Sequence, residues 1–431
     1  MTSRLGDDAR AVFEAAVGAV QAPALLASVD LDALAGRPIG SFARVVVVGA
    51  GKASMALAGA LEACLGGVPV RGEVVVPEGY VATFPDALPR PSRLGVAEAG
   101  HPVPTAASAE AARRALARAE AAGPDDLVVA LLSGGGSALW ALPPAGVSLA
   151  DVRTTTRLLL ESGVDIAGIN AVRKHLSQIA GGHLARAATP ARLLALAISD
   201  VVGDDLSTIA SGPTVGDPTT FADALAVLDG AALTDRVPAS VCGHLRLGAD
   251  GGLPETPTST PEAATVLIGS NRTATEAAAG EAARRGYSVE VEGGPVEGEA
   301  RDVGHALAAW VRRAPSGTAR IAGGETTVTV TGAGRGGRNQ EVALAAALAL
   351  DGAEADVLVL SGGTDGVDGP TDAAGGWATP RTASAVRATG LAPEVALDDN
   401  DAYTALEAAN ALLRTGPTHT NVADILVALR R

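Results

Sequence analysis

Four consecutive valines, Val45 to Val48, run into Gly49-Ala50-Gly51-Lys52 and then into an apolar stretch spaced as a helix through Met55, Leu57 and Leu61. A short β-branched run reads as a buried strand, and the glycines after it as a tight turn into the helix. The pattern recurs. Val74 to Val76 is closed by Pro77, and Leu127 to Leu132 opens into Ser133-Gly134-Gly135-Gly136-Ser137. Leu193 to Ile198 ends in Ser199-Asp200-Val201-Val202-Gly203-Asp204-Asp205. Four strand–loop–helix units in succession predict an α/β fold built on a doubly wound parallel sheet.

Such junctions suit anions, because free N–H groups at a helix start point at whatever fills the turn. Gly51 and the loop Ser133, Gly134, Gly135, Gly136 and Ser137 are therefore candidate phosphate cradles. Lys52 adds a full charge to the first of them. Of the 33 basic side chains only two are lysines, Lys52 and Lys174, which leaves 31 arginines. A chain that uses arginine almost everywhere keeps lysine where a compact, flexible point charge is wanted. Lys174 falls in Ile169-Asn170-Ala171-Val172-Arg173-Lys174-His175-Leu176. Apolar residues at 169, 172, 176 and 179 mark a helical face that leaves Arg173, Lys174 and His175 off it. Those three belong either to a solvated surface or to a ligand.

The formal net charge is −15, from 33 basic and 48 acidic residues. No basic stripe offers a footprint for nucleic acid. A small anionic ligand is compatible, provided its site gathers positive charge locally. The core must be built from Ala, Val and Leu, since aromatic residues make up 2% of the chain. No apolar run reaches the roughly 18–20 residues needed to cross a bilayer. The opening MTSRLGDDAR carries acids and does not read as a signal peptide. Cys64 and Cys242 lie far apart without metal or redox spacing. A cytoplasmic location, away from membranes, is expected.

Residues 1–40 read as one or two helices. The segment 245–262 is rich in Gly, Pro and Thr and lacks periodicity, which predicts a linker. It divides the chain into an N-terminal α/β domain, 1–245, and a smaller α/β domain, 246–431. Strands are expected in the second at 265–269, 287–292, 326–331, 356–360 and 425–429. Gly332 to Arg338 forms a glycine-arginine loop before Asn339-Gln340-Glu341. The loop Ser361 to Gly369 only superficially suggests a calcium site, for it lacks the DxDxDG pattern and the closing Glu.

Basic residues in glycine loops (Lys52, Arg173, Lys174, Arg335, Arg338) combine with acids after strands or loops (Asp200, Asp204, Asp205, Glu325, Asp365). These are the parts for phosphoryl transfer, where a protein positions the reactants and neutralises developing charge. No GxxxxGK[ST] loop and no zinc spacing is present.

The ordered set GAGKAS, SGGGSAL, NAVRKHLS, SDVVGDDLSTIASGPT, GGETTVTV, GRGGRNQE and SGGTDGVDGPTDAAGG, spanning about residues 8 to 428, resembles the glycerate 2-kinase family, the class II or MOFRL-type glycerate kinases. The resemblance implies ATP- and Mg²⁺-dependent phosphorylation of the 2-hydroxyl of D-glycerate. It implies a Rossmann-like N-terminal domain, a MOFRL-type C-terminal domain with a mixed sheet, and an active site in the cleft between them. The family's essential lysine and arginine fall on Lys52 and Arg338, and Asp200, Glu325 and Asp365 match acidic positions of its motifs, with Asp200 a catalytic candidate and the division between general base and metal ligand left open. Together with the loop reading above, the candidates for substrate and phosphate binding are Gly51, Ser133, Gly134, Gly135, Gly136, Ser137, Arg173, Lys174, Glu325, Gly337 and Asp365, and the candidates for metal binding are Asp200 and Asp204. The expected partners are ATP and glycerate, with no nucleic acid and no membrane; the sequence is compatible with a homodimer and does not fix the oligomeric state. The chain departs from the family pattern at Thr105, where an acid commonly follows HPVP. It departs again in TGPTHTNVAD, where His419 and Ala423 replace the Gly and Asn of TGPTGTNVND.

Two other readings compete. VVVVGAGKAS suggests a dinucleotide fingerprint, and some relatives carry the name hydroxypyruvate reductase. Against this NAD(P)H-dependent reading, Ser54 stands where a third glycine belongs, and no acid is evident at the end of a second strand about 20 residues on. A non-catalytic sugar-acid binder would have no use for Asp200, Asp204 and Glu325 facing an anion.

Overall fold

The computed structural model describes residues 4–431; the first three residues of the expected opening helix lie outside the described residues. The chain forms two compact units, one from Leu25 to Ile268, the other from the described residues up to Ala24 together with Gly269 to Arg431.

The 25–268 unit is built on six strands, β1 (Arg44–Ala50), β2 (Val70–Pro77), β3 (Gly95–Ala99), β4 (Asp126–Leu132), β5 (Arg192–Ile198) and β6 (Ala263–Gly269). Their order across the sheet is β3-β2-β1-β4-β5-β6. The pairings among β1 to β5 are parallel. Val45 to Val48 and the whole of β4 are buried on both faces, as the unbroken apolar runs require. Ala111, Ala112, Ala115 and Ala119 of the helix Ala106–Glu120 pack on Val46, Val48, Val128 and Ala130. Small side chains let this helix lie close to the sheet, so little aromatic bulk is needed. Thr105 precedes that helix and works structurally: Ser108 Oγ accepts its N–H, and its own Oγ1 accepts the Gly100 N–H.

The second sheet contains β7 (Ser288–Val291), β8 (Thr318–Gly324), β9 (Val357–Gly363), β10 (Gly375–Ala378), β11 (Leu412–Leu413) and β12 (Asp424–Arg430). It is mixed, in the order β11-β10-β9-β12-β8-β7. β12 runs antiparallel between β8 and β9. The Ala-rich helix Arg338–Leu350 is buried from Asn339 to Ala347, a core helix rather than a surface one.

Three expectations are corrected. The division does not fall at 245/246, because the 263–269 strand joins the first sheet beside β5. The helix Arg4–Ala19 belongs with the second unit, tied there by Asp8, which accepts from Arg285, Tyr287 and Arg431. The β-branched segment 326–331 is not a strand; the preceding residues, β8, take that place. Its polar groups bond elsewhere, Thr327 N–H to Gly298 O, Thr329 to the Glu299 carboxylate and Thr331 N–H to Asn400 Oδ1. β-Branching favoured a strand, but side-chain acceptors captured the backbone.

Candidate active site

In the first sheet the register sets Ala50 beside Leu132 and Leu132 beside Ala197. The loops leaving β1, β4 and β5 therefore start together. Between β1 and β4 the strand order reverses, which is where open α/β sheets form a ligand crevice.

The first loop is closed against the second. Gly51 N–H donates to Val75 O (3.2 Å), Lys52 N–H to Gly134 O (2.9 Å) and Ala53 N–H to Ser133 Oγ (3.0 Å). Gly51 has φ 137°, and a Cβ there would stand 2.2 Å from Ser133 Oγ. The amides of this turn are spent, which corrects the expectation that Gly51 presents its N–H to an anion. The turn contributes the half-buried Lys52 side chain instead. The second loop is open. Among the described residues the N–H groups of Gly134 and Gly135 have no acceptor, and Gly135 sits in the left-handed region at φ 87°. Successive amides in that conformation make an anion nest. Ser137 Oγ hydrogen-bonds Ser211 Oγ at 2.8 Å.

The third loop is strained. Asp204, Ala210 and Ser211 all have φ between 51° and 59°, a conformation that costs L-residues energy and collects at functional sites. Asp205 is tied down, accepting from Ser207 N–H and Oγ and from Thr208 Oγ1. The Asp204 carboxylate has no partner among the described residues. Asp200 stands half-buried two residues past β5. No group of three His, Cys, Asp or Glu gathers as a metal site among the described residues.

Arg173 and Lys174 separate, as successive helix positions must. Arg173 lines a cavity of about 460 Å³ together with Ser137 and Ser211. It has no counter-ion among the described residues, and burial pulls its guanidinium below the ordinary arginine pKa. Lys174 is 5% exposed, its Nζ 3.4 Å from Oδ1 of the fully buried Asp217. The structure thus spends Lys174 on a buried ion pair, against the expectation of a phosphate-binding lysine. It faces a separate cavity of about 440 Å³ with His175, His183 and His244.

In the second unit the register sets Asp424 beside both Gly324 and Gly363. Glu325, Asp365 and Asp424 thereby share one end of the sheet, where the helix Arg338–Leu350 also begins. Asp424 grips Arg338 with both oxygens, 2.6 Å from Nε and 3.0 Å from Nη2, and Glu325 takes Nη1 at 2.5 Å. Burial opposes the charge on Arg338, but the two carboxylates outweigh it and hold the pKa above its ordinary value. The guanidinium fork expected to clasp a ligand is thus oriented by Asp424, and its Nη1 edge lies on the exposed side with Glu325. Asn339 Nδ2 also donates to Asp424 (2.9 Å). Asp368 accepts the N–H groups of Asn339 and Gln340 at the helix start, and burial pushes its carboxyl up to about 6. Gly337 stands so close that a Cβ would reach 2.3 Å from that carboxylate, so its glycine serves packing. Asp365 Oδ1 and Asp424 Oδ1 lie 3.2 and 3.6 Å from the position of a Cβ on Gly363. Sequence reasoning missed Asp424 and Asp368. The acid closing THTNVAD was a signal for the first; only tertiary contact reveals the second.

The 25–268 unit is thus a doubly wound α/β fold with its polar loops at the switch point, and the other unit is a mixed-sheet fold that presents an oriented arginine. Residues 8–246 match a family model described as a domain of unknown function (DUF4147), and residues 318–424 match the MOFRL family. The glycerate 2-kinase of Pyrococcus horikoshii is 42% identical over 395 residues, 90% of this chain and 87% of that one. A putative hydroxypyruvate reductase of Agrobacterium vitis is 43% identical over 430 residues, 97% of this chain and 93% of that one. The crystal structure of glycerate kinase from Thermotoga maritima has a TM-score of 0.87 at 39% identity and covers 99% of this chain and all of its own. The chain belongs to the MOFRL-type glycerate kinase family.

Proposed function

We propose that the chain is a glycerate 2-kinase that transfers the γ-phosphoryl group of ATP to the 2-hydroxyl of D-glycerate. Its kinship with the kinases of Pyrococcus and Thermotoga supports this. The observation that carries it is the pair of loops after β1 and β4. One is closed against its neighbours and offers Lys52, and the other offers the amides of Gly134 and Gly135, which have no acceptor among the described residues.

The same observation weighs against the reductase reading that one relative's name carries. A dinucleotide fold lays the pyrophosphate on the amides after the first strand. Here those amides are bonded to Val75, Ser133 and Gly134. An acid is in fact available for a ribose, since Glu78 follows β2 directly, so the closed turn and not the missing acid separates the two readings.

In this reading the Gly134–Gly135 nest and Lys52 hold phosphate oxygens, and Arg338 stabilises charge on substrate or phosphate through its Nη1 edge. Mg²⁺ takes oxygen ligands and binds through one or two carboxylates plus phosphate. Asp204, whose carboxylate has no partner among the described residues, fits that requirement, with Asp200 a few residues before it. Bound there, the metal would neutralise phosphate charge. Phosphorus NMR with ATP, Mg²⁺ and D-glycerate tests the proposal: a growing 2-phosphoglycerate signal supports it. NADH oxidation by hydroxypyruvate with no new phosphoester would replace it with the reductase.

A further inference from the structure

The cavity beside the Ser133–Ser137 loop has a composition that the kinase reading does not use. Its walls are apolar, with Trp140, Leu142, Val152 and Leu176. Three arginines, Arg153, Arg157 and Arg173, line it, and no Asp or Glu does. In a chain carrying 48 acids against 33 bases, that is a local reversal of charge.

Two of these arginines lack acid partners. Arg173 has none among the described residues. Arg153 donates from Nη2 to Pro104 O, and its buried Nε finds no acceptor. Arg157 is already paired with Glu161. A buried donor without an acceptor is costly unless a ligand supplies one. At one end of the cavity stand the hydrogen-bonded hydroxyls of Ser137 and Ser211. Ser137 is also part of the loop that carries the amide nest. Apolar walls, two guanidiniums without an acid partner among the described residues and an adjoining anion nest describe a receptor for a ligand with a flat apolar body and an anionic tail. The volume of about 460 Å³ falls within the usual range for small-molecule sites.

We infer that this cavity is the nucleoside subsite of the phosphoryl donor, with the base between the apolar walls and Arg173 and Arg153 on the phosphates. The inference rests on the kinase reading for its donor, yet equilibrium binding tests it without turnover. Thr156 lines the cavity from the helix Leu149–Glu161 and is only half-buried, so Thr156→Trp fills the space at little cost to folding. Titration calorimetry with ATP, ADP and adenosine, without glycerate, compares wild type, Thr156→Trp and Arg173→Gln. Thr156→Trp should weaken all three ligands. Arg173→Gln should weaken ATP and ADP by about ten- to a hundredfold, the worth of a charge-assisted hydrogen bond, and leave adenosine unchanged. Wild-type ATP affinity in Thr156→Trp would overturn the subsite, even in a protein that makes 2-phosphoglycerate. Absence of ATP binding to wild type would overturn it as well. Loss of binding in Thr156→Trp would uphold it even if glycerate proved not to be the acceptor.

Discussion

Asp424 holds Arg338 in a two-point grip, its oxygens 2.6 Å from Nε and 3.0 Å from Nη2, while Asn339 fastens the same carboxylate from the side. The arrangement fixes the plane of the guanidinium, with Nη1, shared with Glu325, on the exposed side. Asp424→Asn turns one acceptor into a donor facing a donor. Arg338→Lys keeps the charge and loses the fork. Both should lower kcat by about a hundredfold, equivalent to about 3 kcal/mol of transition-state stabilisation. Asp424→Asn should also lower the thermal midpoint, because the acid is buried. Steady-state kinetics with glycerate and a melting curve check both; wild-type kcat in either variant removes the pair from the reaction.

Lys52 sits on a turn whose backbone is bonded entirely to its neighbours, so its side chain can be changed without opening the loop. Lys52→Met should keep the fold and lose about 10²–10³ in kcat, the usual worth of one charge-stabilising donor. Circular dichroism should overlay with wild type while phosphoryl transfer collapses.

His183 accepts a hydrogen bond at Nδ1 from Arg186 Nη2 (2.7 Å), which requires a neutral ring. Burial first, then the charge of Arg186, lower its pKa to about 4 from the ordinary 6.5. Below pH 6.5 the unfolded chain takes up a proton that the folded chain refuses. The stability contribution is therefore complete above that pH and is lost as pH falls toward 4. His183→Gln keeps an acceptor and cannot titrate. Urea midpoints at pH 7 and pH 5 should fall further for wild type than for the variant.

Ala423 adopts φ 65°, in a stretch where the family pattern has Asn, a residue that tolerates the left-handed region. Ala423→Gly should relieve about 1 kcal/mol of strain, offset in part by chain entropy. A melting temperature at or above that of wild type is the expected result; a clear fall would mean the methyl group's packing outweighs the backbone strain.

The first sheet was legible because its strands are short apolar runs ended by glycine, a local signal. β8 was not: Thr318 to Gly324 carries an arginine and small residues, while Thr326 to Thr331 advertises β-branching that the Glu299 and Asn400 side chains override. Lys52 and Arg338 could be picked out by residue choice and motif. Lys174 answered to the same scarcity argument, yet Asp217, far along the chain, claims it. The Gly134–Gly135 nest was visible as a glycine run. That the neighbouring turn is closed depended on Ser133 reaching Ala53, a contact across strands that no local pattern encodes.

Val20 and Thr420 are joined by a hydrogen bond across 400 positions, and Asp8 meets Arg431. The helix Arg4–Ala19 packs on the helix Asn271–Arg284 and on β9 and β12, all of them far along the chain. The 25–268 unit is a single continuous stretch inserted between them. Connectivity thus makes the two units unequal: one is complete within a single stretch, and the other needs segments from both sides of that stretch to meet.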